Sequence, residues 1–296
     1  MTRADEVSLA GTKDLDDAAY RVVARKVYEL TGMDLNQYKA NQMKRLLDSV
    51  LRRHDMDSYG TLLRRLREDP EMLRDFKGRM SINVSEFFRD PVRFEYLDSH
   101  IVPELLSRNS RLAAWSAGSS IGCEAYSVAM ILAKHGVLDR SRVLGTDIDE
   151  EVILRARAAT YWESELRNVP RGMRDRCFSP ADSLPESAYP LPWRRATDGT
   201  RESLYRVDES IRRSVSFRME DLFRSDFEGD FDLIICRNVT IYFTEEAKRG
   251  LYRRLCEALK PGGYLFVGGT EIIFNADSLG LENAAAFFYR RKPESG

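Results

Sequence analysis

The chain is predicted to be an α/β protein: a mostly parallel sheet, preceded by a helical bundle and interrupted by a small insert. Three observations carry this prediction. Apolar runs suited to buried strands begin at 112 and recur at 143–145, 215–219, 231–236, 264–267 and 285–290, and helix-linked strands are the pattern of a doubly wound sheet. The stretch 112–124 reads as a strand entering a small-residue loop, where Gly118 and Gly122 are spaced by Ser119, Ser120 and Ile121, and then as the first turn of a helix. Residues 16–80, by contrast, show helical periodicity throughout.

In chain order, residues 1–14 are polar and lack periodicity, so a disordered N-terminus is expected. A helix starts near Asp16 with Tyr20, Val23, Ala24, Val27 and Leu30 on one face, and Thr31 and Gly32 close it. A second, over 41–54, turns Met43, Leu46, Leu47, Val50 and Leu51 inward and leaves Lys44, Arg45, Arg52 and Arg53 outside the stripe. A turn at 57–60 leads to a helix through Leu62, Leu63 and Leu66, and another runs from Pro70 through Phe76. The N-terminal helical domain is therefore placed at 15–80. Residues 81–106 form a linking segment whose adjacent Phe87 and Phe88 need burial against the next domain, with a helix from Pro91 to Leu106.

The sheet domain occupies 107–296. Helices are expected over 124–135 and 150–159, flanking the short strand 143–145. Strand alternation stops between 161 and 213, which holds five of the ten prolines and two of the three tryptophans, Trp162 and Trp193. A gap that long marks an inserted subdomain or functional loop; 204–207 could supply a strand, and Trp193, beside Arg194 and Arg195, reads as a surface loop staple in preference to a binding platform. The run 231–236 is continuously apolar after its first acid, as a fully buried parallel strand is. It delivers Asn238 and Tyr242 to its carboxyl end, where ligands of open α/β sheets lie.

Composition narrows the function. The 31% charged and 43% hydrophobic fractions are those of an ordinary globular protein, with no apolar run long enough for a membrane span and no signal region, so cytoplasmic residence is expected. Cys123, Cys177, Cys236 and Cys256 are scattered and His54, His100 and His135 do not cluster with them, so neither disulfide nor metal site is expected. The net charge of -1 hides an asymmetry, since residues 21–80 carry a net +5. That face suits an acidic partner or simply water. Asp147 and Asp149 follow the glycine loop near the offset at which nucleotide folds place the acid that grips ribose hydroxyls, which suggests an adenosine ligand. The three-glycine fingerprint of a nicotinamide dehydrogenase is absent, as is the Asn/Asp-Pro-Pro-aromatic pattern of adenine methylation, and no broad basic stripe offers itself to nucleic acid.

Five motifs then converge: Asn-Val-Ser-Glu-Phe-Phe-Arg at 83–89, Trp-Ser-Ala-Gly at 115–118, Thr-Asp-Ile-Asp at 146–149, Cys-Arg-Asn-Val-Thr-Ile-Tyr-Phe at 236–243 and Leu-Lys-Pro-Gly-Gly at 259–263. Together they resemble the CheR family, S-adenosylmethionine-dependent glutamate O-methyltransferases of bacterial chemoreceptors. The resemblance implies a class I methyltransferase (Rossmann-like) sheet, an N-terminal helical domain that contacts the receptor, and a small inserted β-subdomain. It implies transfer of a methyl group to receptor glutamates, giving methyl esters and S-adenosylhomocysteine. It places Ser85, Arg89, Glu124, Asp147 and Tyr242 around the cofactor, with Arg89 and Tyr242 acting on the substrate carboxylate and Asp221 and Leu222 beside the adenine. Asn83, Gly118 and Asn238 complete the expected cofactor shell. Docking of the basic helix 41–54 on receptor helices and a monomeric state are expected. Where the family usually has Gly-Glu-Glu-Pro-Tyr-Ser, this chain has Gly122-Cys123-Glu124-Ala125-Tyr126-Ser127, preceded by Ile121 in place of threonine. Those departures motivate an alternative, a non-catalytic S-adenosylmethionine-binding sensor or scaffold.

Overall fold

The computed structural model of the protein describes residues 15–80, 85–183 and 202–293. Asn83, Trp193 and residues 1–14 lie outside the described residues. The chain divides into two compact units, Met1–Ile82 with Tyr242–Arg249, and Asn83–Ile241 with Gly250–Gly296.

The first unit is helical: α1 (Asp17–Thr31), α2 (Ala40–Arg53), α3 (Tyr59–Glu68) and α4 (Pro70–Met80). Asp16 caps α1 by accepting from the Ala19 N–H, and Gly32, left-handed at φ 77°, ends it by donating to the Tyr28 carbonyl. The expected turn at 57–60 is shorter than its sequence suggests. The Ser58 hydroxyl accepts from the Thr61 N–H at 3.3 Å, so Tyr59 and Gly60 already belong to the first turn of α3. Met43, Leu47, Val50 and Leu51 are buried along α2, while Arg45, Arg52 and Arg53 are exposed. Tyr242–Arg249 joins this unit from far along the chain. Lys39 N–H donates to the Tyr242 carbonyl at 2.8 Å, and the Tyr38 and Phe243 rings meet edge to face at 5.1 Å.

The second unit opens with α5 (Pro91–Tyr96) and α6 (Val102–Arg108), joined by a π-helical turn, Leu97–Ile101. One regular helix is expected here. Pro103 has no amide hydrogen and its ring crowds the preceding turn, and a widened turn just before it accommodates both. Then follow β1 (Ala113–Ala117), α7 (Cys123–Lys134), β2 (Arg142–Asp147), α8 (Glu150–Ala158), β3 (Thr160–Trp162), α9 (Arg171–Cys177), β4 (Phe178–Ala181), β5 (Leu204–Val207), α10 (Glu209–Arg212), β6 (Val215–Met219), β7 (Phe231–Cys236), α11 (Glu245–Ala258), β8 (Leu259–Val267), β9 (Leu281–Ala285) and β10 (Phe288–Arg291).

A seven-stranded sheet runs β6-β2-β1-β7-β8-β10-β9, its first five strands parallel and β10 and β9 antiparallel. The strand expected at 285–290 is instead a hairpin, because Phe287 adopts a left-handed φ of 70° and turns the chain between β9 and β10. β8 starts five residues before the expected Tyr264, and the Pro-Gly-Gly stretch is absorbed as a register shift beside β7. The insert supplies a separate three-stranded antiparallel sheet, β3-β5-β4. The two neighbours of β1 come from different halves of the chain, so the switch in strand order falls between β1 and β7, the crevice where such sheets bind ligands. Among the described residues no helix is long and apolar enough to cross a membrane.

Phe87 ties the insert to the sheet domain. It is fully buried, edge-on to Tyr161 of β3 at 4.8 Å and to Phe178 of β4 at 5.1 Å, and its N–H donates to the Glu165 carbonyl. Phe87→Ala is expected to cost about 3–5 kcal/mol in urea-melt stability. A loss below about 1 kcal/mol, the range of ordinary surface substitutions, would mean that the ring is not an anchor.

Candidate active site

The chain leaves β1 at Gly118, whose N–H and that of Ser119 both donate to the Thr146 carbonyl of β2, at 2.9 and 2.8 Å. Gly118 (φ 76°) and Gly122 (φ 87°) are left-handed. A Cβ at Gly118 would sit 2.5 Å from a Val239 methyl, and one at Gly122 would sit 2.8 Å from the Phe217 ring. The glycines are thus required by backbone conformation and by packing of this loop against the protein itself, not by the approach of a ligand. The loop still points to a ligand. The Ser119 and Ser120 hydroxyls are buried without a hydrogen-bond partner, and native buried hydroxyls are ordinarily paired.

Glu124 lies in the first turn of α7, where the helix N-terminus favours an acid. It accepts from the Ser116 hydroxyl at 2.9 Å and faces Arg237 at 3.5 Å. Burial pushes its carboxyl up, opposed by Arg237 and Ser116. Asp147, at the end of β2, accepts from the Ser120 N–H at 2.8 Å and the Asp149 N–H at 3.1 Å. It therefore fixes the glycine loop while keeping lone pairs for hydroxyl donors. Burial raises its carboxyl to about 6 in spite of those bonds.

Arg89 is half-buried between two left-handed residues, Phe88 (φ 50°) and Asp90 (φ 64°). Strained non-glycine backbone of this kind persists only where surrounding structure holds it, and the holder is Arg237. Its side chain is 1% exposed, donates to the Arg89 carbonyl at 2.9 Å, pairs with Asp90 and Glu124, and lies over the Phe94 and Phe266 rings. Ser85 is buried four residues before Arg89. Asn238, just past Arg237, is left-handed at φ 61°, with its N–H on the Glu271 carboxylate at 2.6 Å. Ser85, Arg89, Glu124 and Asn238 thus stand on segments knit together by Arg237 and its neighbours, and Asp147 joins them through Ser120.

Asp221 and Leu222 follow β6. Asp221 accepts from the Phe223 N–H at 2.8 Å, and Leu222 is buried. Tyr242 belongs to the helical unit. Sequence reasoning passed over Arg237, Glu271 and Glu220. Glu220 is buried, pairs with Arg218 at 2.7 Å, retains an unpartnered carboxylate oxygen, and donates its N–H to the Asp147 carbonyl. A charged residue inside an apolar strand end was the available signal for Arg237 and Glu220; nothing short of the fold marks Glu271.

Ile121, Cys123 and Ala125, the departures from the motif, are all buried in the core cluster. They alter packing behind the loop and leave the Glu124 carboxylate in place. The residues present fit an adenosyl cofactor. The Ser120 hydroxyl stands unpartnered on the residue whose N–H Asp147 accepts, a Glu220 oxygen is unpartnered on the residue whose N–H reaches the Asp147 carbonyl, and the acids Glu124 and Asp147 stand after β1 and at the end of β2.

Comparison with known proteins agrees with this geometry. Residues 83–187 and 191–287 match the family described as CheR methyltransferase, SAM binding domain, and residues 18–81 match CheR methyltransferase, all-alpha domain. A chemotaxis protein methyltransferase of Listeria monocytogenes is 32% identical over 271 residues, covering 91% of this chain and 96% of that protein. Those of Salmonella typhimurium and Escherichia coli are each 31% identical, over 267 residues (88% of this chain, 86% of that protein) and 263 residues (87% and 85%) respectively.

Because the raised Asp147 carboxyl binds a proton in the folded state before it does in the unfolded one, acidification from pH 7 to 5 should stabilise the wild type relative to Asp147→Asn. The difference in thermal midpoint between the two, followed across that range, tests it. A constant difference would show that Asp147 titrates at its ordinary value.

Proposed function

This chain belongs to the CheR methyltransferase family, S-adenosylmethionine-dependent enzymes that methylate protein glutamates in chemotaxis, and from that premise we propose how its own residues perform the reaction. The observation that carries the proposal is Arg237, which ties the Arg89 segment to Glu124 at the switch point of the sheet.

When bound, S-adenosylmethionine supplies an activated methyl group on a sulfonium sulfur. Glu124 holds its methionyl end and Asp147 its ribose hydroxyls; Asp221 and Leu222 line the adenine, and Ser85, Asn238 and the backbone at Gly118 complete the shell. Asn83, outside the described residues, keeps its place in that shell on the resemblance alone. The substrate glutamate arrives ionised, since a carboxyl of pKa about 4.3 is only about 0.2% protonated at pH 7, and a general base would gain almost nothing. Orientation is what remains to be supplied. Arg89 is suited to it because a planar guanidinium holds a carboxylate through two hydrogen bonds. Tyr242 is assigned to the substrate carboxylate on the resemblance alone. Neither residue moves a proton.

The substrate is a glutamate on a chemoreceptor cytoplasmic helix, and α2 is the docking element. Its exposed Arg45, Arg52 and Arg53 present positive charge beside a buried apolar stripe, suited to the acidic helices that carry methylation sites. The protein acts as a cytoplasmic monomer. Tritiated-methyl transfer from S-adenosylmethionine to purified receptor cytoplasmic fragments, with release of methanol by base, tests the reaction class directly.

Arg89→Ala should abolish methyl transfer while S-adenosylhomocysteine binds within a few fold of wild type by calorimetry. Weakened binding with unchanged turnover at saturation would make Arg89 a cofactor ligand alone. Reversal of charge at Arg52 and Arg53 should raise the KM for the receptor fragment severalfold at low salt, with the gap closing as ionic strength rises. Identical KM values across salt would leave α2 a merely solvated face.

A further inference from the structure

Glu271 follows β8 in the sequence Gly268-Gly269-Thr270-Glu271, and its side chain turns back into the protein, where the residue is 2% exposed. Four donors converge on its carboxylate. One oxygen accepts from the Asn238 N–H at 2.6 Å and the Gly268 N–H at 2.9 Å. The other accepts from the Thr240 N–H at 2.7 Å and the Thr240 hydroxyl at 3.0 Å. That hydroxyl also meets the Tyr252 phenol at 2.9 Å. Gly268 makes room for the arrangement, because a Cβ there would lie 2.3 Å from the Glu271 oxygen and 3.0 Å from the Asn238 nitrogen.

The consequence falls on the loop after β7. Asn238 is held at φ 61°, a conformation that asparagine adopts only at some cost and that turns the chain between Arg237 and Val239. Val239 is the residue packed against Gly118. A carboxylate is the one side-chain group with two oxygens and no proton, so it can take four donors at once. Charge-assisted bonds of this kind outlast neutral ones in a buried site.

We propose that Glu271 is a positioning residue of the methyltransferase site, clamping the backbone at 238–240 so that Asn238 and Val239 meet the cofactor crevice in a fixed geometry. It touches neither cofactor nor substrate and acts through Asn238, so the inference rests on the reading of Asn238 as a cofactor contact. Glutamine cannot replace it. Glutamine offers one oxygen, and its NH2 would confront N–H donors either at Asn238 and Gly268 or at Thr240.

The full chain tests this with four variants. Glu271→Gln removes the clamp chemically, and Gly268→Ala displaces it sterically. Tyr252→Phe removes only the neighbouring phenol, and Asn238→Ala removes the contact itself. Calorimetry gives the S-adenosylhomocysteine Kd, steady-state methylation gives the two KM values, and thermal melting reports general loosening. Glu271→Gln and Gly268→Ala should each raise the Kd and the S-adenosylmethionine KM at least tenfold, with the receptor-fragment KM within twofold of wild type. Tyr252→Phe should lower the melting temperature and leave the Kd within twofold. Wild-type Kd in Gly268→Ala overturns the clamp even where Glu271→Gln fails to fold. An equal rise in Kd in Tyr252→Phe also overturns it, by reducing the effect to lost stability. Wild-type Kd in Asn238→Ala overturns the reading of Asn238 as a cofactor contact and the inference that rests on it, even with Glu271→Gln weakened. Asn238→Ala weakened with Glu271→Gln intact removes the clamp alone.

Discussion

A guanidinium that is 1% exposed is the constraint on which the catalytic half of this protein depends. Taking the charge of Arg237 out of water is costly unless it is paired, and a buried charge left with one partner removed is strongly destabilising. The partners come from three directions: the Arg89 carbonyl, the Asp90 carboxylate and the Glu124 carboxylate. Apolar ring faces of Phe94 and Phe266 fill the remaining sides. Pairing the two terminal nitrogens of one arginine, whose Nε–H is left without a partner, therefore sets the backbone of the substrate-facing segment and the acid of the glycine loop in one relation. The left-handed backbone on both sides of Arg89 is tolerated because that relation is over-determined.

Around Arg237 the same device recurs with the sign reversed. Asp147 and Glu271 are buried carboxylates whose partners are largely backbone N–H groups, of the glycine loop in one case and of the loop after β7 in the other. Loops at the carboxyl ends of parallel strands have little regular hydrogen bonding of their own. An interior carboxylate supplies it and fixes dipoles before any ligand arrives, which is the form of preorganisation that transferases of this kind can use. The burial that raises the Asp147 carboxyl to about 6 is the cost of that arrangement. The substitutions Ile121, Cys123 and Ala125 sit behind these loops in the core, so they leave the ligand-facing acids untouched and give no support to a role in binding without turnover.

Most strands and helices were legible because their signals are local. The strands over 215–219 and 231–236 and the helix closed by Gly32 follow from apolar runs and a left-handed cap read within a few residues. Misreadings arose where a distant or rare event intervened. The hairpin between β9 and β10 depends on one left-handed phenylalanine, and residues of that type seldom adopt that conformation. The π turn before Pro103 is a local consequence of a missing amide, yet its position depends on which face of the helix must stay buried.

The sequence by itself determined the residue types that chemistry needs, the alternation that builds the sheet and the motifs that mark the family. All of these are properties of short segments. Only the tertiary structure decided what Arg237, Glu271 and the loop glycines do, because their partners are remote in the chain. Arg237 reaches Asp90 across 147 positions, Glu124 across 113, and Glu271 reaches Asn238 across 33. A glycine next to a helix start looks alike whether a ligand or a valine methyl fills the space beside it. At Gly118 the occupant is Val239, and only the packed fold, which excludes two atoms from one place, assigns it.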